Sequence, residues 1–229
     1  MPIESKKVRI LKIEEITHDT KSFILERPEG YNFKSGQSAF LAIDSDEWRK
    51  ENRQFSISST PNSNNLEFII KIYSDRPGVT NAMSKLQEGE YLLISRPFGM
   101  INHDESKGGI FIAAGSGVTK FISLFRDLHE RKKLSNIIFI YSNKAKKDVI
   151  LEKELKEMFS ASPSSLILAL SREKKRGYTH GRINEKLIRN ALNGIPGRKV
   201  HAAGSEEFIR DIMKIARKIQ NESNSSKGK

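Results

Sequence analysis

The stretch Ala113-Ala114-Gly115-Ser116-Gly117-Val118-Thr119 sets two glycines and a hydroxyl residue between an apolar run and a helical pattern. Gly115 and Gly117 would let the backbone approach a pyrophosphate closely, and Thr119 could add a hydroxyl hydrogen bond. The unpaired N–H groups at a helix start favour an anion there. A plain strand-to-helix turn would also use glycines, for their access to positive φ, but the strand–turn–helix context favours phosphate binding. A second candidate is Arg53-Gln54-Phe55-Ser56. Arg53 and Ser56 lie three apart in an extended segment and so point to opposite faces. A small hydroxyl beside an aromatic and an arginine suits a flat ring with a phosphate tail; it equally suits a surface charge and an edge hydroxyl. A third lies at Lys71-Ile72-Tyr73, followed by Gly78-Val79-Thr80. Gly78 and Thr80 ahead of a short helix make either a second anion cradle or a helix capped by Thr80.

These residues need elements to position them, and the chain changes character near residues 100–108. Before that point VRILKIEEI, KSFILER, QSAFLAI, QFSISST, LEFIIKIY and EYLLISR read as strands, separated by turn-rich RPEGYNFKSG, TPNSNN and SDRPG. Six such strands suggest a closed antiparallel β-barrel; MSKLQEG suggests a short helix. After residue 108, GGIFIAA, NIIFIY, SLILAL and KVHAA read as buried strands. They alternate with amphipathic helices over TKFISLFRDLHERKK, ILEKELKEMF, INEKLIRNAL and EEFIRDIMKIARKI. That alternation indicates βαβ units and a parallel sheet, whose ligands bind at the carboxyl ends of the strands. The expected organisation is an N-terminal β-barrel over 1–103, an α/β nucleotide-binding domain over 104–220 and a disordered tail over 221–229, which is wholly polar.

Composition narrows the chemistry. With no cysteine among 229 residues, thiolate-held iron–sulfur clusters, disulfides and a cysteine nucleophile are excluded. The five histidines are scattered, without the helical spacing of a metal pair, so no metal is expected. The formal charge of +12 suits phosphorylated cofactors and an acidic protein partner. The basic runs are dispersed and lack interleaved aromatics, so nucleic acid is not expected. There is neither an apolar run of membrane-spanning length nor a signal-peptide pattern, so the expected location is cytoplasmic.

The order of the motifs is more specific than any one of them. Arg-x-Phe-Ser at 53–56, Gly-x-Thr at 78–80, Arg-Pro-Phe-Gly at 96–99 and Gly-x-Gly-x-Thr at 115–119 together resemble the ferredoxin–NADP reductase family. The resemblance runs from about Val8 to Ile219. IYSNKAKKDVILEKEL and RPFGMI look most like bacterial flavodoxin/ferredoxin reductases without a fused iron–sulfur domain. It implies an FAD-binding barrel followed by an NAD(P)-binding domain, with hydride passing between NAD(P)H and flavin and electrons passing to or from ferredoxin or flavodoxin. Arg53 would meet the flavin phosphate, Gln54 and Phe55 would lie along the flavin, and Ser56 would hydrogen-bond near its N5 as the catalytic group. Lys71, Ile72 and Tyr73 would line the flavin chain, and Gly78, Val79 and Thr80 would hold the FAD pyrophosphate. Gly115, Gly117 and Thr119 would bind the pyrophosphate of the nicotinamide cofactor, with Ala203 and Gly204 near the nicotinamide. The family's tyrosine is Phe55 here, its proline after Gly-x-Gly-x-Thr is Lys120, and its Cys-Gly-Pro is Ala203-Gly204-Ser205.

A fourth constellation lies at 170–183, where Ser171, Arg172, Lys175, Arg176, Tyr178 and Arg182 gather positive charge. The 2′-phosphate of an adenine ribose needs such a cluster; a solvated loop has the same composition. NADPH is therefore expected over NADH, which stays possible. The alternatives are a free-flavin reductase, the reductase component of an oxygenase, and a non-catalytic flavin-binding subunit that transfers electrons or senses.

Overall fold

The computed structural model describes residues 5–192 and 198–225. It divides into two compact units, the first comprising Met1–Ile101 with Thr119–Asp127, the second Asn102–Val118 with Leu128–Lys229.

In the first unit β1 (Ser5–Thr17), β2 (Thr20–Glu26), β3 (Ser38–Ile43), β4 (Arg53–Ser56), β5 (Asn65–Lys71) and β6 (Tyr91–Ser95) form one antiparallel sheet in the order β4-β3-β6-β1-β2-β5. The period-two pattern gives it one apolar face. Val8 and Ile10, Phe23 and Leu25, Leu66 and Phe68, and Leu92 and Ile94 all turn the same way into one core. Just past β4, the Ser58 N–H donates to the Glu67 carbonyl of β5 at 2.8 Å. That bond joins the two ends of the strand order and makes the sheet barrel-like. β4 is shorter than the apolar text of QFSISST suggests, because Ile57 to Thr60 turn inward and are buried outside the ladder.

The short helix α1 (Val79–Met83) starts earlier than MSKLQEG implies. Its N-cap is Gly78, at φ 151°, and Thr80 sits within the first turn, so Thr80 is not the cap. Buried Val79 and Met83 anchor the helix to the core, which decides its start.

The second unit is a parallel sheet in the order β10-β9-β8-β7-β11, made from β7 (Gly109–Ala114), β8 (Ile137–Asn143), β9 (Ser165–Leu170), β10 (Thr179–His180) and β11 (Val200–Ala203). The two-residue, exposed β10 carries no apolar signal and was not foreseen. The helices that follow in the chain are α2 (Thr119–Glu130), most of which belongs to the first unit, then α3 (Glu152–Ser160), α4 (Glu185–Leu192) and α5 (Glu206–Ser225). Ile188, Ala191, Ile212, Ala216 and Ile219 of α4 and α5 pack with Ile110, Ile112 and Ile140 of the sheet. α5 extends to Ser225, five residues into the tail expected to be disordered. Once an amphipathic helix is docked, each added residue forms a backbone bond without a new nucleation cost, and Glu222 pairs with Arg189 at 2.8 Å. The rest of that tail, 226–229, lies outside the described residues. Among the described residues no helix is long and apolar enough to cross a membrane.

The first part of α2 clusters with the barrel, which a boundary at 103/104 would not give. Polar groups along one side of the helix explain it. Ser123 donates to the Ser59 carbonyl at 2.7 Å, and Arg126 donates to the Ser58 carbonyl at 2.9 Å and pairs with Glu67 of β5.

On edge strand β11, the His201 ring stacks on Phe111 at 4.6 Å, with His103 edge-on 6.3 Å from His201. His103 Nδ1 and His201 Nε2 are buried and have no hydrogen-bond partner. Burial, with Lys199 and His103 nearby, pushes His201 down to about 4; burial also lowers His103, against the pull of Glu105 and Asp104. A histidine whose folded pKa lies below the unfolded value of about 6.5 supports the fold fully above that value and withdraws its support as pH falls. The melting temperature is therefore expected to drop between about pH 6.5 and pH 4. His201→Phe, which keeps the stack, should flatten that pH profile. An equally steep profile in the variant would assign the acid sensitivity elsewhere.

Candidate functional site

In the second unit the site forms where β7 and β11 end. Gly115 to Val118 make a tight turn directly after β7, and α2 begins at Thr119. Gly115 has φ +52°, and a Cβ added there would meet nothing within 4 Å. Gly117 is the opposite case. An added Cβ would lie 2.5 Å from the Ala203 carbonyl oxygen and 2.7 Å from the Gly204 nitrogen. The one glycine thus leaves open space at the turn, and the other lets the turn seat on the end of β11. Two stretches far apart in sequence, 115–117 and 203–204, become one surface.

Gly204 has φ +158°, and an added Cβ would lie 2.7 Å from Phe208. Ser205, which stands where the family has proline, accepts a hydrogen bond from the Phe208 N–H at 3.3 Å. It caps α5, as a serine at that place should.

The basic cluster lies at the carboxyl ends of β8 and β9. The Ser171 and Arg172 N–H groups donate to the Asn143 and Lys144 carbonyls, both at 2.9 Å, so Lys144 joins the cluster. Lys144 and Asn143 were missed, although the run SNKAKK at a strand end carried the signal. Both polar atoms of the Asn143 side chain are buried without a partner. Arg172 and Arg182 are exposed. Tyr178 is differently employed: its hydroxyl donates to Glu152, and burial together with that carboxylate raises its pKa. Glu173 accepts from the Lys146 N–H at 2.7 Å and so tempers the local charge.

In the first unit, β4 presents Arg53 and Gln54 exposed and Ser56 partly exposed. Arg53 pairs with Glu51 at 3.3 Å with both side chains more than half exposed. Such a pair is worth about 0–1 kcal/mol, so a phosphate could displace it. Phe55 packs in part against the barrel core, because it follows Ala39 in register while Ser56 pairs with Ser38 and Gln54 with Phe40. On the Ser56 face, Phe40 and Phe98 stack at 4.7 Å. This half-exposed aromatic platform was also missed, since nothing in the sequence ties residue 40 to residue 98.

Lys71 is brought to the right strand end, but its ammonium binds Asp19 at 2.6 Å. Burial would raise the Asp19 pKa; hydrogen bonds from Lys71, Thr17 and Thr20 outweigh it and hold the carboxyl low. The Ile72 N–H is also occupied, by the Asp19 carbonyl at 2.8 Å. Tyr73 is covered by the Arg76 guanidinium at 4.3 Å. At Gly78 an added Cβ would meet nothing within 4 Å, and no side chain caps the helix that follows.

Models of two known domains match this chain. The oxidoreductase FAD-binding domain matches residues 7–103, and the oxidoreductase NAD-binding domain matches residues 111–214. The chain belongs to the ferredoxin–NADP reductase-like family. Within that family, it is 28% identical to the reductase component of propane 2-monooxygenase from Rhodococcus jostii, over 69% of this chain and 43% of that protein. It is 28% identical to a ferredoxin–NADP reductase of Pseudomonas aeruginosa, over 58% of this chain and 52% of that one. The chain thus spans about half the length of these relatives. A flavodoxin/ferredoxin–NADP reductase of Buchnera aphidicola is 25% identical over 87% of this chain and 82% of its own. The family fold is shared with a ferredoxin NADP+ reductase from Neisseria gonorrhoeae solved with bound FAD and NADP, at TM-score 0.82 and 21% identity, covering 94% and 92% of the two chains.

Proposed function

We propose that this chain is a flavin-dependent oxidoreductase that moves electrons between NAD(P)H and an electron-carrier protein by way of bound FAD. The observation that carries this reading is a pair of glycine cradles in one chain, open at Gly78 in the barrel unit and at Gly115 in the α/β unit. Each lies at the start of a helix and within the domain match appropriate to its nucleotide.

The residues present fit both groups. Gly78, Val79 and Thr80 would hold the FAD pyrophosphate, with Arg53 exchanging Glu51 for a phosphate. Lys71 and Ile72 contribute little beyond shape, since their donors are satisfied by Asp19. Ser56, on the face of the Phe40–Phe98 pair, would orient the flavin ring by a hydroxyl hydrogen bond. At the turn after β7, Gly115, Gly117 and Thr119 would hold the nicotinamide cofactor's pyrophosphate, with Ala203 and Gly204 beside the nicotinamide. Ser171, Arg172 and Arg182, joined by Lys144, would take a 2′-phosphate, which favours NADPH. Bound FAD supplies two-electron exchange with a nicotinamide and one-electron exchange with a metal centre or flavodoxin, so the protein's part is binding and orientation. A chain of charge +12 suits an acidic carrier, ferredoxin or flavodoxin, through electrostatic steering. The Rhodococcus relative favours a second reading, service as the reductase of an oxygenase.

The test is spectroscopic. The purified protein, loaded with FAD, should bleach on anaerobic addition of NADPH, and less readily with NADH. Persistent yellow colour with both would contradict the reductase reading. Reoxidation by ferredoxin, flavodoxin or free FMN would then rank the acceptors.

A further inference from the structure

Lys120 stands where the family has proline, in the first turn of α2 and within the barrel unit. Its half-buried ammonium has one hydrogen-bond partner among the described residues, the Ser38 hydroxyl at 3.4 Å. The backbone at Gly99 lies close by, 3.9 Å from the ammonium as measured to an added Cβ. Among the described residues no carboxylate pairs with it. Burial alone acts on its pKa, and lowers it. A cation in the first helical turn also opposes the helix dipole. Two unfavourable placements with no counter-charge among the described residues call for an anionic partner.

The location says which partner. Ser38 on β3 is the direct cross-strand partner of Ser56 on β4. Opposed residues in an antiparallel pair send their side chains to one face, with Cβ atoms about 5 Å apart. Lys120, Ser38 and Ser56 therefore form a short row on one face of the barrel, beside the Phe40–Phe98 platform. We propose that Lys120 is a positioning residue of the flavin site, its ammonium favouring the negatively charged reduced ring over the neutral oxidised one. This rests on the flavoprotein reading above. The charge balance is simple. Hydride leaves NAD(P)H as two electrons with one proton, giving NAD(P)+, and a neutral flavin that accepts it gains one negative charge. A cation nearby stabilises that product and raises the two-electron potential.

Lys120→Gln and Lys120→Met, loaded with FAD, are compared with wild type by spectroelectrochemistry. The preference for reduced over oxidised flavin is expected to fall about tenfold, a downward shift of about 30 mV for a two-electron couple. Lys120→Arg should stay near wild type. The gap between wild type and Lys120→Gln should also close as pH rises past the lowered lysine pKa, where the side chain loses its charge; a packing effect would persist. Wild-type potential in the Gln and Met variants, an Arg variant that shifts as far as Gln, or a gap indifferent to pH would each overturn the proposal. A wild-type protein that takes up no flavin would instead overturn the flavoprotein reading on which it stands.

Discussion

Gly117→Ala is expected to leave the protein yellow and yet slow its bleaching by NADPH about a hundredfold. The added methyl would lie 2.5 Å from the Ala203 carbonyl oxygen and 2.6 Å from its carbon. These are backbone atoms at the end of a strand, so no side chain can swing aside. Either the turn lifts away from β11 or the strand end moves, and in both cases the surface shared by 115–117 and 203–204 is lost. Overpacking of this kind costs about 1–3 kcal/mol in stability. Displacing a binding cradle by even about 1 Å can slow a positioned reaction about a hundredfold. The barrel strands and Gly78 lie outside the displaced turn, so flavin absorbance should persist. Stopped-flow reduction by NADPH measures the effect, and a wild-type rate would refute it. Gly115→Ala is the internal control. Its methyl meets no protein atom within 4 Å, so its stability cost is only that of a left-handed conformation, about 1–2 kcal/mol, and any loss of NADPH reduction would come from the methyl entering the proposed pyrophosphate space and not from a displaced strand end.

The second large effect concerns stability. Arg126 of α2 pairs with Glu67 of β5, and Glu67 also accepts a hydrogen bond from fully buried Ser22 at 2.8 Å. The Arg126 and Glu67 side chains are only 20% and 17% exposed. Arg126→Met would strand a largely buried carboxylate and leave the Ser58 carbonyl without this donor. Breaking a buried pair from one side costs about 3–5 kcal/mol, and partial exposure here places the cost near the lower figure. For a chain of this size that is a loss of about 10 °C in melting temperature. The double variant Glu67→Gln, Arg126→Met removes the stranded charge and should recover most of the loss. Equal melting temperatures in the single and double variants would show that the ion pair is not what holds α2 to the barrel.

Periodicity carried most of the architecture. The alternation of Val8/Ile10 and Phe23/Leu25 announces a sheet with one buried face, and the apolar runs of β7, β8 and β9 announce a sheet buried on both. Those signals are local, because burial acts on side chains whose spacing follows directly from strand or helix geometry. The glycines at 78, 115 and 117 were legible for the same reason: the residue type itself limits what the backbone there can be asked to do.

What the sequence left open depends on partners distant in the chain. That Gly117 must lack a side chain is fixed by the carbonyl of Ala203, and that Lys71 has no cation to spare is fixed by Asp19. Lys120 read as a mere departure from a family proline until Ser38 placed it on the Ser56 face. The start of α2 belongs with the barrel because Ser123 and Arg126 find acceptors there, a matching of donors to carbonyls that no periodicity encodes. Residue types and spacing determined the two sheets and the glycine turns, because those follow from local geometry. Which charged and polar groups remain available for chemistry was decided only in the tertiary structure, because a donor's availability depends on what the fold sets against it.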